Sequence, residues 1–129
     1  MIRTLCLSAL AATALAAAFP AVAQTNRANC FRMSMLSSTR PDGDRRIYAR
    51  VGVNTFYRID LAHRCSSLPY EGNFLVLEPA AGSDLICNPI DLDLKVNDHG
   101  ANEACFIKSI TRLTPEEAAA GSSTRKLPS

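Results

Sequence analysis

From Ile47 to Leu61 the chain alternates apolar and polar positions twice, with a short break between. Ile47, Ala49 and Val51 fall on one side of an extended segment, and Arg46, Tyr48 and Arg50 on the other. After Gly52-Val53-Asn54 the alternation resumes, with Tyr57, Ile59 and Leu61 opposed to Phe56, Arg58 and Asp60. Side chains of a strand flip face at every residue, so a period of two across a short Gly/Asn loop predicts an antiparallel hairpin with one buried face. The same period recurs at Ile90, Leu92, Leu94 and Val96, which alternate with Asp91, Asp93 and Lys95.

Shorter apolar runs predict further strands at Cys30 to Leu36, Asn73 to Glu78 (a continuous run, read as buried), Asp84 to Cys87 and Ala104 to Ile110. Turn-forming clusters separate them: Ser37 to Asp44 around Pro41-Asp42-Gly43, a loop over Ala62 to Gly72, Pro79 to Ser83, and Asn97 to Gly100. A helix is announced near the end. Thr114 is a good cap, Pro115 suits the first helical position, Glu117 stands three residues after the cap, and Gly121 can end the helix. About seven short strands and one short C-terminal helix predict an all-β, mainly antiparallel fold, a small barrel or a sandwich.

The first residues change the picture. Arg3 precedes an apolar run over Leu5 to Ala18, and Ala21-Val22-Ala23 supplies the small residues that a signal peptidase reads. Residues 1–23 are therefore expected to be a signal peptide cut before Gln24. The run is shorter than the ~20 residues that span a bilayer, so no membrane segment is expected after cleavage. That leaves residues 24–121 as a single domain and 122–129 as a polar tail expected to be disordered. The periplasm is the expected compartment, with full secretion as the alternative.

Export bears on the cysteines. Beyond the leader there are four: Cys30, Cys65, Cys87 and Cys105. An even number in a short exported chain predicts two disulfides, each restricting the unfolded chain by about 3–4 kcal/mol. Three pairings are possible. The echo of "CFRMS" at Cys30 in "CFIKS" at Cys105 favours Cys30–Cys105 with Cys65–Cys87. A zinc site on His63, Cys65 and Cys87 or His99 has no CxxC pair behind it, and oxidised sulfur cannot ligate as thiolate. No cofactor is expected.

Charge narrows the partners. The leader removes one of fourteen basic residues, leaving thirteen against twelve acids, which argues against a nucleic-acid binder. The balance is uneven, with eight Arg and three Asp over residues 24–65, and five basic and nine acidic residues over 66–129.

The densest polar stretch is "PIDLDLKVNDH". Asp91, Asp93, Asp98 and His99 are its candidate metal ligands, yet the spacing lacks the pattern and the bidentate Glu of a calcium loop, and a half-buried strand followed by a turn explains it. No G-x-S-x-G, H-E-x-x-H or phosphate loop is present, so no catalytic residue is assigned. The candidate binding residues are Arg46, Tyr48, Arg50 and Arg58 on the outer face of the hairpin, since Arg and Tyr are frequent binding anchors. An acidic envelope protein or an anionic glycan would suit them.

The order of the leader, "CFRMS", "IYARVGVNTFYRIDL", Cys65, "ICNPIDLDL" and "CFIKSITRLTPEE" resembles a family of small exported bacterial proteins of unknown function. The resemblance implies one disulfide-bearing domain and transfers no activity. A non-enzymatic exported binding or envelope-associated module is the expected function, with a small envelope-polymer hydrolase or inhibitor-like protein as the alternative. An enzyme should gather carboxylates or a His in a concave pocket. A binding module should show a flatter patch of Arg and aromatic side chains.

Overall fold

A computed structural model describes residues 29–123 and 126–129, and the expected leader lies outside them. The strands are β1 (Phe31–Arg32), β2 (Leu36–Pro41), β3 (Arg46–Val51), β4 (Thr55–Leu61), β5 (Phe74–Pro79), β6 (Leu85–Ile86), β7 (Leu92–Asp98), β8 (Ala101–Cys105) and β9 (Ile107–Arg112). One helix, α1 (Pro115–Ser123), follows. Every pairing is antiparallel, in three sheets ordered β2-β3-β4-β9, β5-β7-β8 and β1-β6.

The alternating segments behave as their pattern dictates. In the β3–β4 hairpin Ile47 pairs with Ile59 and Ala49 with Tyr57. All four are buried, and Gly52, with φ of 65°, turns the loop. Leu92, Leu94 and Val96 on β7 are buried too. Burial of each such aliphatic side chain stabilises the fold by about 1.5–3 kcal/mol. Phe31 leans on Tyr57 inside this core, ring centroids 4.9 Å apart and planes tilted by 48°.

Four segments differ from the sequence expectation. The run Cys30 to Leu36 is broken by a 3-10 turn over Met33–Met35, and β2 extends through residues expected to turn. β2 is an edge strand, so it needs little apolar sequence and tolerates Pro41 at its end. Ile90 is 81% exposed because Pro89–Asp91 forms a 3-10 turn in which Asn88 and Asp91 cap each other. The run Asn73 to Glu78 is not buried: β5 pairs only with β7, and Phe74 is 71% exposed.

The fourth difference shapes the whole molecule. The expected strand Ala104 to Ile110 is two strands meeting at Phe106. β8 pairs with β7, whereas β9 pairs with β4. Leu61 is opposite Ile107 and Asp60 opposite Ser109, so Lys108 is an extra residue, a bulge that bends the chain from one sheet into the other.

The disulfides are Cys30–Cys87 and Cys65–Cys105, which corrects the expected pairing. Register explains it. Phe31 pairs with Ile86 across β1 and β6, which sets Cys30 opposite Cys87. Beyond β4 the Ala62 amide donates to the Phe106 carbonyl at 2.8 Å, bringing Cys65 beside the end of β8.

The helix cap forms as expected. The Glu117 amide donates to Thr114 Oγ1 at 3.2 Å, and the Thr114 amide to Glu117 Oε2 at 2.9 Å. The helix does not stop at Gly121 but runs to Ser123. Residues 126–129, part of the expected disordered tail, fold back. The Lys126 amide donates to the Gly121 carbonyl at 3.0 Å, and Leu127 is buried. A Cβ on Gly121 would lie 2.8 Å from Leu127 Cγ, so the glycine makes room for that side chain rather than ending the helix.

Candidate binding cleft

β3 and β4 place the expected binding residues on the outer face of their sheet. Arg46 is opposite Asp60, and Tyr48 opposite Arg58. Asp60 collects both guanidiniums, Arg46 Nε at 3.0 Å and Arg58 Nε at 2.9 Å, and Ser109 Oγ donates at 3.4 Å. Burial alone would raise the Asp60 pKa. The two arginines outweigh it and hold the carboxyl below its usual range. The hydrogen bond to Asp60 in turn raises Arg46. Arg50 Nε donates to the Val53 carbonyl at 2.9 Å. Tyr48 and Arg58 lie with Leu113, Gly121 and Leu127 around a hollow beneath α1. The structure thus brings Arg46 and Arg58 together through Asp60 and sets Arg50 apart, reaching toward the hairpin tip.

The four candidate metal ligands are distributed. Asp91 Oδ2 accepts the amides of Cys87 at 3.0 Å and Asn88 at 2.8 Å. Asp93 is outward beside Lys95, 3.9 Å from its Nζ. Asp98 contacts His99 Nδ1 at 2.5 Å in the exposed β7–β8 turn, where His99 has φ of 50°. Among the described residues the set of acids, thiols and imidazoles close enough to share an ion is instead Cys65, Glu103 and Cys105. Both sulfurs there are cross-linked. Glu103 is taken up by the amides of Ser66 and Ser67, at 3.0 and 2.8 Å. The arrangement is a clasp between the Cys65 loop and β8.

The carboxylates whose titration the fold displaces all move downward. Asp60 does so through its arginines. Amide donors lead for the others: Ser34 for Asp84, Cys87 for Asp91, and Ser67 for Glu103. A general acid needs the opposite shift, toward the working pH. These four are ionised acceptors: Asp60 ties side chains of β3, β4 and β9 together, and the other three hold turns and loops in place.

A cleft of about 860 Å³ opens beside the hairpin tip. β1, the Met33–Met35 turn and β6 form one wall, and Val51 to Thr55 the other; the Cys30–Cys87 bridge and Tyr57 stand at its back and Arg112 on its rim. Apolar side chains dominate the walls. Met35 is 53% exposed, Val53 72% and Leu85 45%. The Tyr57 hydroxyl donates to the Cys30 carbonyl at 3.1 Å, fixing the back of the cleft. The lining holds neither carboxylate nor imidazole. Such volume and apolarity are typical of small-molecule sites, which run roughly 300–1,000 Å³. Sequence patterning missed the cleft because its walls come from four separate segments. The available signal was Val53, a β-branched residue at a loop tip where turns prefer polar ones.

A family model described as "Family of unknown function (DUF6491)" matches residues 1–128. The chain belongs to this family. No curated protein and no solved structure matches it. For this DUF6491 member the site itself must therefore supply the functional argument, since fold alone would not.

Proposed function

We propose that this DUF6491 protein is an exported, non-enzymatic binding module that takes a small ligand with an apolar body into the cleft beside the β3–β4 tip. The observation that carries this reading is the cleft itself, about 860 Å³ of mostly apolar wall with no carboxylate or imidazole in its lining. Export is supported by the expected leader and by two disulfides, which persist in oxidising compartments. Among the described residues no helix is long and apolar enough to cross a membrane. The periplasm is the proposed compartment, with secretion as the alternative.

The test is a titration with the neutral dye N-phenyl-1-naphthylamine, whose emission rises in apolar sites. Saturable one-to-one binding is expected, weakened about tenfold or more by Val53→Asp or Leu85→Glu, since the bound dye would strip water from the new charge. Equal binding by both variants would remove the cleft as the site.

A second reading concerns the outer face of Arg46, Tyr48, Arg50 and Arg58 as a contact for an acidic envelope protein or an anionic glycan. It is favoured by a recess in which Arg45 and Lys108 join Arg46 and Arg58, four cations against Asp42, Asp44 and Asp60. Arg45→Ser with Lys108→Ser should then reduce retention on an anionic glycan column, and unchanged retention speaks against it.

A further inference from the structure

Among the described residues two guanidiniums stand on the cleft and no acid does. They differ in one respect. Arg32 has a counter-ion, with Asp84 Oδ2 3.5 Å from its guanidinium. That carboxylate is fixed by the Ser34 amide at 2.7 Å and hydroxyl at 2.8 Å. Arg112 has no ion-pair partner among the described residues. It is exposed at the end of β9, directly opposite Tyr57 on β4. Its charge reaches the Tyr57 hydroxyl, where it offsets part of the rise that burial causes. That hydroxyl has already committed its proton to Cys30. The cleft thus presents apolar walls and one uncompensated positive charge at its edge.

We infer that the cleft selects anionic amphiphiles, with the apolar chain lying among Met35, Val53 and Leu85 and a carboxylate or sulfonate end on the Arg112 guanidinium. The inference rests on the cleft being a ligand site. A guanidinium offers an acid group two parallel N–H donors, and water is partly displaced by the apolar walls, which strengthens the pair. Because Arg112 stays exposed, the gain is modest, about fivefold in affinity, as for solvent-screened ion pairs.

Decanoate and 1-decanol share a chain and differ at the end group, so they separate the two claims. Each is used to displace N-phenyl-1-naphthylamine from the disulfide-intact mature protein. Decanoate should displace the dye at about fivefold lower concentration than decanol. Arg112→Gln should abolish that preference while leaving decanol unchanged. Lys95→Gln, which removes a charge outside the cleft lining, should keep it. Equal displacement by the two compounds, or a preference that survives Arg112→Gln, overturns the anionic selectivity and leaves the cleft standing. Failure of the dye to bind, or of both compounds to displace it, overturns the cleft itself.

Discussion

The outer face of the hairpin and the cleft at its tip draw on the same residue types, arginines beside a tyrosine on neighbouring strands, and reach opposite states. On the outer face Asp60 neutralises Arg46 and Arg58 from the centre of the sheet. At the cleft Tyr57 is held by a main-chain carbonyl, and Arg112 faces solvent with no acid opposite. Whether an arginine is a structural tie or a free recognition group is thus decided by the acid within reach on its own face of the sheet. Asp60 lies opposite Arg46 and two residues along β4 from Arg58, and so closes a local network. Arg112 has no such acid among the described residues.

The bridges give the largest effects and separate the two regions most sharply. The cross-links join residues 57 and 40 positions apart, and loss of either should cost about 4 kcal/mol by the chain-entropy account. Cys30→Ala with Cys87→Ala should also abolish dye binding, because that bridge is part of the cleft. Cys65→Ala with Cys105→Ala should lower the denaturation midpoint similarly and keep the dye site. Chemical denaturation run beside dye titration checks both, and equal loss of binding in the two variants breaks the comparison.

Asp60→Ala comes next. It leaves two half-exposed arginines without their acceptor and should cost about 1–2 kcal/mol after allowance for solvent screening, with dye affinity unchanged. The same residue sets a pH dependence. Its folded pKa lies below the unfolded one. Its contribution is therefore complete above the ordinary carboxylate value of about 3.9, and fades as pH falls through the lowered folded value. Wild type should lose stability on acidification through that window, whereas Asp60→Asn should lose less, as melting temperatures measured across it would show.

The smallest effect belongs to Arg112→Gln. Stability should change by less than about 0.5 kcal/mol, as for an exposed residue without an ion pair among the described residues. The Tyr57 ionisation should move further upward, because burial would then act without the opposing charge. Tyrosinate absorbance during an alkaline titration reads this out, and a downward shift would contradict the placement of Arg112.

The hairpin and β7 were legible because a strict period of two over five or more residues has one physical meaning when one face is buried. The helix cap was legible for a similar reason: Thr114 and Glu117 carry their partners within one turn. Legibility failed where distant chain decides. Nothing local distinguishes the Cys-Phe at Cys30 from that at Cys105, yet Phe31 is buried and Phe106 is 69% exposed, because only the second sits at a bend between sheets. The echo between them therefore misled the pairing. The turn at Pro89–Asp91 was readable in principle, since Asn88 and Asp91 stand at capping distance in sequence, but the alternation running through Ile90 masked it. The expected binding arginines were placed on the right face. Arg58 and Asp60 share a face of one strand and were legible as a pair, whereas Arg46 meets Asp60 only through the β3–β4 register.

The two cross-links are interleaved along the chain, in the order Cys30, Cys65, Cys87, Cys105. A cut at any one peptide bond between the outer two leaves both fragments tethered through sulfur. The loop around Tyr70, 67% exposed, is an open target for a protease. A nick there would release no fragment. In a hostile medium this small body would survive a single bite as one molecule, and only a second cut or a reductant would begin to take it apart.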